Sequence, residues 1–251
     1  IGKNYKEALQ KAIRSLEINR YGLGFAHNFH ELPLDTLMAK LAERDGIRAL
    51  IATPHTDGIR VGRDRVAGAV HALNLELRQQ ELGLTVYPGF ELPYHLAAEL
   101  AATHTLADNG RHALIEFPPM HLPKGALNTF FTLIAAGLVP VLAHPERNFE
   151  VLMNPDLLKE MVENGILVQI TAASVTGEMG PDVQRCAHHL LQQGWVHFLA
   201  TDSHSPTYRE PVLGRAVKIV TRLIGQEQAR VLVEQNPGQI LATAGASASI
   251  P

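Results

Sequence analysis

The sequence has little of what secreted, membrane-spanning or nucleic-acid-binding proteins need. It contains a single cysteine, so no disulfide can form within the chain and a cytoplasmic location is expected. No apolar run approaches the roughly 18 residues that span a bilayer, and the first twenty residues carry no signal-peptide pattern, so we expect no membrane insertion. Lysine and arginine total 22 against 25 aspartates and glutamates, which argues against a nucleic-acid partner.

Histidine, by contrast, is plentiful, with 13 residues in a chain of 251. The hydrophobic fraction of 46% is ordinary for a globular protein, and a chain of this length buries a core without disulfides. We expect one domain over residues 1–251, with an atypical N-terminal segment at 1–33. The small, polar residues 243–251 are predicted to fray.

Short β-branched runs alternate with helical patterns along the chain. Leu34, Leu37, Met38 and Leu41 have the spacing of one helix face, as do Val66, Val70, Leu73 and Leu77. The alternation predicts an α/β fold with a parallel sheet covered on both faces. A closed barrel and an open doubly wound sheet both fit. The six predicted strands cover residues 47–53, 84–88, 113–117, 139–143, 167–171 and 196–200.

Metal-ligand residue types stand at the ends of five of these six strands. Active sites of parallel α/β folds gather at the carboxyl ends of the strands, so these side chains are expected to converge. Imidazole and carboxylate groups together suit zinc, manganese or iron. The candidate ligands are His55, Glu91, Glu116, His144, Asp202 and His204.

Each candidate has another interpretation when it is taken alone. Glu116 lies inside an apolar strand and needs a partner, which a buried salt bridge to an arginine would also provide. His144 could belong to a helix-start cluster. Asp202 and His204 are two residues apart, so on an extended chain their side chains would share one face and could both bind a metal. The alternative is that Asp202 caps a helix and His204 lies on the surface. The repetition at five strand ends favours a metal site.

Two arginines extend the pattern towards phosphate chemistry. Arg147 follows one ligand-bearing strand end, and Arg209 lies five residues after His204. A guanidinium group presents a fork of donors that matches phosphate oxygens, so metals with arginines indicate a phosphoester hydrolysis site. Cys186 stands in a helical stretch without the Cys-x5-Arg phosphate loop, which argues against a covalent cysteine mechanism.

These segments resemble the PHP (polymerase and histidinol phosphatase) family, and more closely its bacterial protein tyrosine phosphatases encoded with capsule and exopolysaccharide genes. The resemblance spans about residues 34–241 and includes subgroup-specific segments. It implies a distorted seven-stranded parallel β/α barrel of TIM-like form. The segments are ATPH at 52–55, PGFEL at 88–92, LIEFP at 114–118, AHPERN at 143–148, QITAAS at 169–174 and HFLATDSH at 197–204.

The resemblance also implies roles for individual residues. Arg147 and Arg209 bind phosphate, and Asp202 or His204 assists proton transfer. The cofactor is two or three metal ions, with Mn²⁺ preferred and Fe, Zn or Co as alternatives. The implied metal ligands are His55, Glu91, Glu116, His144, Asp202 and His204.

One departure from the family pattern lies near the N-terminus. The family opens with His-x-His and then Asp-Asp-Gly, and both are missing here. The nearest candidates are His27 and His30, whose spacing of three sends them to opposite faces of a straight strand. The Leu-Pro pair after His30 favours that residue as the second histidine. If both are incidental, one metal loses ligands, and the activity is reduced, altered or absent.

The expected activity is hydrolysis of phosphotyrosine in a protein. The implied partner is the tyrosine-rich tail of a kinase for polysaccharide synthesis. One alternative is a phosphatase for a small phosphomonoester such as histidinol phosphate. Another is a weakened paralogue that binds phosphotyrosine without turnover. An oligomer is compatible with the sequence, which leaves the oligomeric state open.

Overall fold

The computed structural model describes residues 34–206 and 209–244. Every strand pair within them is parallel. All six predicted strands are present, and the second continues after a short break as an additional strand. The strands are β1 (Ala49–Ala52), β2 (Thr85–Pro88), β3 (Glu91–Pro93), β4 (His112–Glu116), β5 (Val139–Ala143), β6 (Leu167–Thr171) and β7 (Phe198–Ala200).

Helices connect successive strands and cover the sheet. Leu37 of the first helix and Val66, Val70 and Leu77 of the second are buried, as their spacing predicts. Thr243 and Ala244 end the last helix, and residues 245–251 lie outside the described part. The helices are α1 (Leu34–Arg44), α2 (Arg63–Gln79), α3 (Tyr94–Leu100), α4 (Ala126–Ala135), α5 (Phe149–Met153), α6 (Lys159–Glu163), α7 (Ala172–Thr176), α8 (Pro181–Gln192), α9 (Gly214–Ile224), α10 (Gln226–Arg230) and α11 (Asn236–Ala244).

Shorter helical turns complete the connections. Three are 3₁₀ turns, at Leu106–Asp108, Pro145–Arg147 and Pro155–Leu158, and Val231–Gln235 is a π-helical turn. The turn Pro145–Arg147 follows β5 directly and therefore lies at the carboxyl edge of the sheet. Among the described helices, none combines the length and the apolar character needed to cross a membrane.

The sheet is interrupted where the second predicted strand continues into β3. β1 pairs with β2, while β3 to β7 form a five-stranded sheet in sequence order. A single bridge between His55 and Glu91 joins the two sheets, and Glu91 N donates to Pro54 O over 3.2 Å. The break therefore places Glu91 between the end of β1 and the neighbouring strand β4.

Gly89 makes this break possible because the backbone passes very close to β1. A Cβ atom at Gly89 would lie 2.6 Å from Ile51 Cγ2 and 3.4 Å from Ala52 O. Carbon atoms do not approach that closely without displacement, so a side chain here would displace Ile51 or the strand that carries it. The lack of a side chain at Gly89 thus lets the segment that carries Glu91 pack close against β1.

Both faces of the sheet are buried, as its apolar strands predict. The larger core lies under the helices and includes Ile115, Leu142 and Ile170. The opposite face packs into a smaller cluster to which both sheets contribute, together with the Leu106–Asp108 turn and α11. Its strand residues are Ile51, Tyr87, Leu114, Val141, Ala143, Leu167 and Phe198.

The seven-stranded closed barrel expected from the resemblance is not established by the described residues. Within 34–206 and 209–244 the strands form a two-stranded and a five-stranded sheet, and β7 does not pair with β1. The structure has seven strands where the sequence predicts six, because the second predicted strand is split at Gly89 into β2 and β3. Residues 21–29, the candidate first strand, lie outside the described part.

Candidate metal centre

Four of the candidate ligands come together after the carboxyl ends of β1, β2, β4 and β5. Glu91, which follows β2 and opens β3, forms a bridge with His55, and Glu116 is the last residue of β4. Ala143 is the Cα partner of Glu116, so His144, the next residue, emerges beside it. Parallel pairing therefore brings side chains that are far apart in sequence to one point of the edge.

The side chains of these four residues are within reach of one another. His144 Nε2 donates to Glu91 Oε1 over 2.7 Å and lies 3.6 Å from Glu116 Oε1. The other Glu116 oxygen is 3.6 Å from His55 Nδ1. One ligand atom each from His55, Glu91 and Glu116 falls within a 4.8 Å group. Two carboxylates with two imidazoles suit a divalent metal such as zinc, manganese or iron.

The two carboxylates have pKa values shifted in opposite directions. Burial, the largest influence, would raise the pKa of Glu91, but His144, His55 and Arg147 together lower it to about 2. Burial and the adjacent Glu91 charge raise the pKa of Glu116. Two acidic side chains, Glu91 and Glu116, thus lie side by side, an arrangement that a bound cation would relieve. The donor set therefore fits a metal.

His144 is the most enclosed imidazole of the group, with 6% of its side chain exposed. Burial alone would lower its pKa, but the ion pair with Glu91 outweighs burial and raises that pKa. The charge of Arg147 opposes this, and that of Asp202 supports it. The ligand group and the arginine group are therefore close enough to influence each other.

Asp202 pairs with both candidate phosphate-binding arginines. Its Oδ2 accepts from Arg147 Nη1 over 2.8 Å and from Arg209 Nη1 over 2.7 Å, and only 9% of its side chain is exposed. Asp202 and His204, like His144, are not part of the close ligand-atom group of His55, Glu91 and Glu116. The Asp202 carboxylate lies between the two guanidinium groups.

His204 is tied to the backbone of Asp202. Its Nδ1 donates to Asp202 O over 2.8 Å and lies 3.8 Å from Asp202 Oδ1. The side chains of Asp202 and His204 would share one face only on an extended chain. Asp202 has a φ of +47°, so the chain is not extended there. Burial lowers the pKa of His204, which favours its neutral form.

Three site residues adopt left-handed backbone conformations. His144 has a φ of +32°, Asp202 of +47° and Arg209 of +51°. Only three other non-glycine residues in the described ranges have positive φ: Glu81, Ala107 and Asp108. Backbone strain of this kind concentrates at functional sites, which supports the location of the site.

Arg209 retains capacity to bind a further group. Its Nη1 donates to Asp202, whereas its buried Nε has no hydrogen-bond acceptor among the residues that the structure describes. Ser203 Oγ and His204 N both donate to Arg209 O, over 2.9 and 3.1 Å, and fix its backbone. A buried N–H without an acceptor indicates a missing partner, and a phosphate oxygen would supply one.

Glu146 is a functional candidate that sequence reasoning missed. It is fully buried, and its Oε1 accepts from Thr171 N at 3.0 Å, Thr171 Oγ1 at 3.2 Å and Ser174 Oγ at 2.6 Å. These bonds fasten the turn that carries His144 and Arg147 to the end of β6. Its position between a candidate ligand and an arginine is the sequence signal that could have identified it.

His27 and His30, the candidates for the missing N-terminal pair, lie outside the described residues. The structure therefore places six of the eight expected metal ligands at one sheet edge. His55, Glu91, Glu116 and His144 form one group, and Asp202 and His204 belong to the adjoining arginine group.

The chain is similar in sequence to several bacterial proteins. The chain is 36% identical over 202 residues to the tyrosine-protein phosphatase YwqE of Bacillus subtilis (strain 168), covering 78% of this chain and 80% of that one. It is 32% identical to a putative tyrosine-protein phosphatase CapC of Staphylococcus aureus, covering 68% and 69%. It is 28% identical to the tyrosine-protein phosphatase CpsB of Streptococcus pneumoniae, covering 81% and 88%.

A solved structure matches the fold over most of the chain. It is described as one of the crystal structures of YwqE from Bacillus subtilis and CpsB from Streptococcus pneumoniae, unique metal-dependent tyrosine phosphatases. The TM-score is 0.76 at 34% identity, covering 83% of this chain and 87% of that one. The model of the family described as "Capsular polysaccharide synthesis, CpsB/CapC" matches residues 30–242. The chain belongs to the CpsB/CapC family.

Proposed function

We propose that this chain is a metal-dependent phosphatase that hydrolyses phosphotyrosine in a protein. The observation that carries the proposal is the group of two carboxylates and two imidazoles beside two arginines that share one aspartate. The names of the relatives supply the substrate class, since three of them are tyrosine-protein phosphatases or a putative one.

The proposed metal ligands are His55, Glu91, Glu116 and His144, with Asp202 and His204 on the arginine side. His30 and then His27 are the proposed N-terminal ligands. Two or three ions are proposed, with Mn²⁺ preferred and Fe, Zn or Co as alternatives. When bound, such ions lower the pKa of a coordinated water and neutralise charge on a phosphate.

The residues of the chain have distinct tasks in this reaction. Arg147 and Arg209 bind the phosphoryl oxygens, with Arg209 Nε as one unused donor. Asp202 holds the two guanidinium groups together before substrate arrives. His204 donates its Nδ1 proton to the Asp202 carbonyl, which leaves Nε2 as the nitrogen that either binds a metal or takes part in proton transfer. Glu146 keeps His144 and Arg147 in position.

The proposed partner is the tyrosine-rich tail of a kinase for polysaccharide synthesis, and a cytoplasmic location is part of this proposal. We also propose the distorted seven-stranded barrel of the PHP family, closed by a strand from residues 1–33. The interior cluster shared by the two sheets supports that closure.

The test is metal reconstitution with a choice of substrates. Chelator-treated protein is assayed with and without Mn²⁺ on a phosphotyrosine peptide, a phosphoserine peptide and histidinol phosphate, while bound metal is counted. We expect Mn²⁺-dependent activity with preference for phosphotyrosine. Full activity without metal would refute the mechanism, and preference for histidinol phosphate would refute the substrate class. Phosphotyrosine binding without turnover would identify a non-catalytic relative.

A further inference from the structure

The turn at 144–148 between β5 and α5 carries two residues of the proposed chemistry. His144 opens it with a φ of +32°, and Arg147 N donates to His144 O over 3.1 Å. A left-handed residue with a side chain is strained and persists only where surrounding contacts hold it. The position of Arg147 therefore depends on what fixes the two ends of this turn.

The first part of the turn is fixed from β6, one of the two strands beside β5. His144 N donates to Gln169 O over 2.7 Å, and Glu146 Oε1 accepts from Thr171 N over 3.0 Å. Both of these bonds are made by residues that precede Arg147 in the chain. The part of the turn that follows Arg147 is held from another direction.

Asn148 fixes that last part from β4, the other neighbour of β5. Its Nδ2 donates to Pro118 O over 2.8 Å and to His121 O over 3.2 Å, and the residue is only 4% exposed. The next backbone amide, Phe149 N, donates to Pro119 O over 2.8 Å. Three hydrogen bonds thus fasten the end of the turn to the segment that follows β4.

The segment after β4 starts at a proposed metal ligand. Pro118 lies two residues after Glu116, and Asn148 follows Arg147 directly. Pairing of β4 with β5 already places the backbone of Glu116 opposite Ala143, independently of Asn148. The Asn148 amide therefore acts on the arginine and not on the ligands, because it sets where Arg147 lies relative to them.

The two ends of the Asn148 amide have separate tasks. Oδ1 accepts from Glu150 N and Val151 N and so caps α5, while Nδ2 makes the two bonds to the segment after β4. Serine and aspartate also cap helices well, but neither carries the amide group that donates to Pro118 and His121. Substitution can therefore remove the Nδ2 bonds and keep the helix cap.

We propose that Asn148 is a positioning residue for the reaction, whose Nδ2 bonds hold Arg147 where the arginine meets the phosphoryl group. The inference rests on the proposed function and deepens it, because it adds a residue that acts through Arg147 without contacting the substrate. Glu146 holds the same turn from β6, so Arg147 lies between two anchored neighbours.

The experiment is a double-mutant cycle in protein loaded with Mn²⁺, with p-nitrophenyl phosphate as substrate. Asn148→Ser is measured alone and together with Arg147→Ala. We expect kcat to fall about 10-fold in the wild-type background with bound metal unchanged, and not to fall further in the Arg147→Ala background, because a misplaced arginine matters only while it is present. Asn148→Asp, which sets a carboxylate against two carbonyl oxygens, should show the same pattern with a loss at least as large.

Asn236→Ser is the matched control. Asn236 Nδ2 donates to His197 O over 2.8 Å, the same length as the bond from Asn148 to Pro118, but His197 lies just before β7 at the opposite end of the strands. Its loss should lower the free energy of unfolding in urea without changing kcat. An equal fall in kcat for Asn148→Ser in both backgrounds would reveal general damage to the fold and overturn the inference. Failure of both Asn148 variants to fold would overturn it as well.

Binding of inorganic phosphate to the metal-free chain separates this inference from the proposed function. By calorimetry, Asn148→Ser should weaken the affinity about 3-fold, with no effect once Arg147 is replaced by alanine. If the wild type hydrolyses nothing but binding follows this pattern, the proposed function fails and the positioning role stands. If the wild type is active and kcat is unchanged in Asn148→Ser, only the inference fails. A wild type that neither hydrolyses nor binds phosphate overturns both.

Discussion

Arg147 and Asp202 lie 55 residues apart in sequence and form a 2.8 Å hydrogen bond at the centre of the site. Arg209 shares the same carboxylate oxygen at 2.7 Å. One aspartate thus holds two guanidinium groups side by side, and the three together retain a net positive charge. A phosphate dianion that binds to these two arginines would meet the negative charge of Asp202 between them.

Removing Asp202 is therefore expected to strengthen phosphate binding while abolishing turnover. In metal-free protein, Asp202→Ala should bind inorganic phosphate roughly 10-fold more tightly than wild type, since charge-assisted hydrogen bonds to the arginines become available. Isothermal titration calorimetry measures the affinity. The double variant Asp202→Ala with Arg147→Ala should lose the gain. Equal affinity in the wild type and Asp202→Ala would show that the arginines do not meet phosphate.

Substituting a metal ligand should change the amount of bound metal, whereas substituting a phosphate-binding arginine should not. His144→Ala is expected to lose both bound metal and activity. Arg147→Ala and Arg209→Ala should keep their metal and lose turnover by about 10²-fold, as expected for one transition-state contact each. Elemental analysis beside a phosphatase assay provides both quantities. Equal metal loss in all three proteins would contradict the assignment of the arginines.

Cys186 should be inert towards alkylation in the folded protein. It is buried, and burial together with the charge of Glu146 raises the pKa of its thiol to about 12. The thiolate is the reactive form, so iodoacetamide at pH 8 should neither modify the native protein nor inhibit it. Mass spectrometry detects the adduct, and protein unfolded in urea serves as the positive control. Rapid inactivation with one adduct per chain would revive a cysteine-dependent mechanism.

Glu146→Ala should lower both stability and metal affinity. The substitution leaves the hydroxyls of Thr171 and Ser174 without their shared acceptor, which costs roughly 1–3 kcal/mol for each buried group that finds no new partner. The turn bearing His144 is then free to shift. Urea unfolding and metal titration test the two effects. Glu163→Ala, at an exposed position of α6, is the control and should change neither.

His112 should make the protein less stable as the pH falls from about 6.5 towards 4. Burial and then the Arg111 charge lower its pKa from 6.5 to about 4, and Asn109 Nδ2 donates to its Nδ1 at 2.9 Å. Between those pH values the unfolded chain binds the proton and the folded protein does not, so stability is lost as pH falls. Above about pH 6.5 both states are neutral and the effect is absent.

The measurement is urea unfolding of wild type and His112→Gln at pH 7.5 and pH 5. The variant is expected to be less stable than wild type at pH 7.5, with a smaller deficit at pH 5. The comparison isolates His112 because the other histidines are the same in both proteins. A deficit that does not shrink at pH 5 would contradict the prediction.

The sequence predicts the helices and strands whose residues follow a regular apolar pattern. Strand runs are short, β-branched and bounded by turn residues, so all six could be located. Glu116 could also be identified from the sequence, because a carboxylate inside an apolar strand needs partners. The structure supplies them as His55 and His144 instead of the arginine that the sequence also allowed.

The sequence does not predict side-chain positions in turns and loops, where the backbone has no regular repeat. Glu146 lies in a 3₁₀ turn, where no alternation tells which side chains point inwards. The pairing of Asp202 with both arginines depends on left-handed conformations that residue type does not reveal. The split at Gly89 depends on the approach of another strand, which only the folded chain brings near.

The left-handed conformations of His144, Asp202 and Arg209 lower the stability of the folded protein at this edge of the sheet. Such a conformation costs roughly 1–2 kcal/mol for a residue with a side chain, a large share for a domain whose net stability is about 5–15 kcal/mol. Glycine would tolerate all three positions but would remove an imidazole, a carboxylate or a guanidinium group. Selection for stability alone would therefore favour glycine at these three positions, whereas the proposed chemistry requires their side chains, so stability is traded for function at three residues.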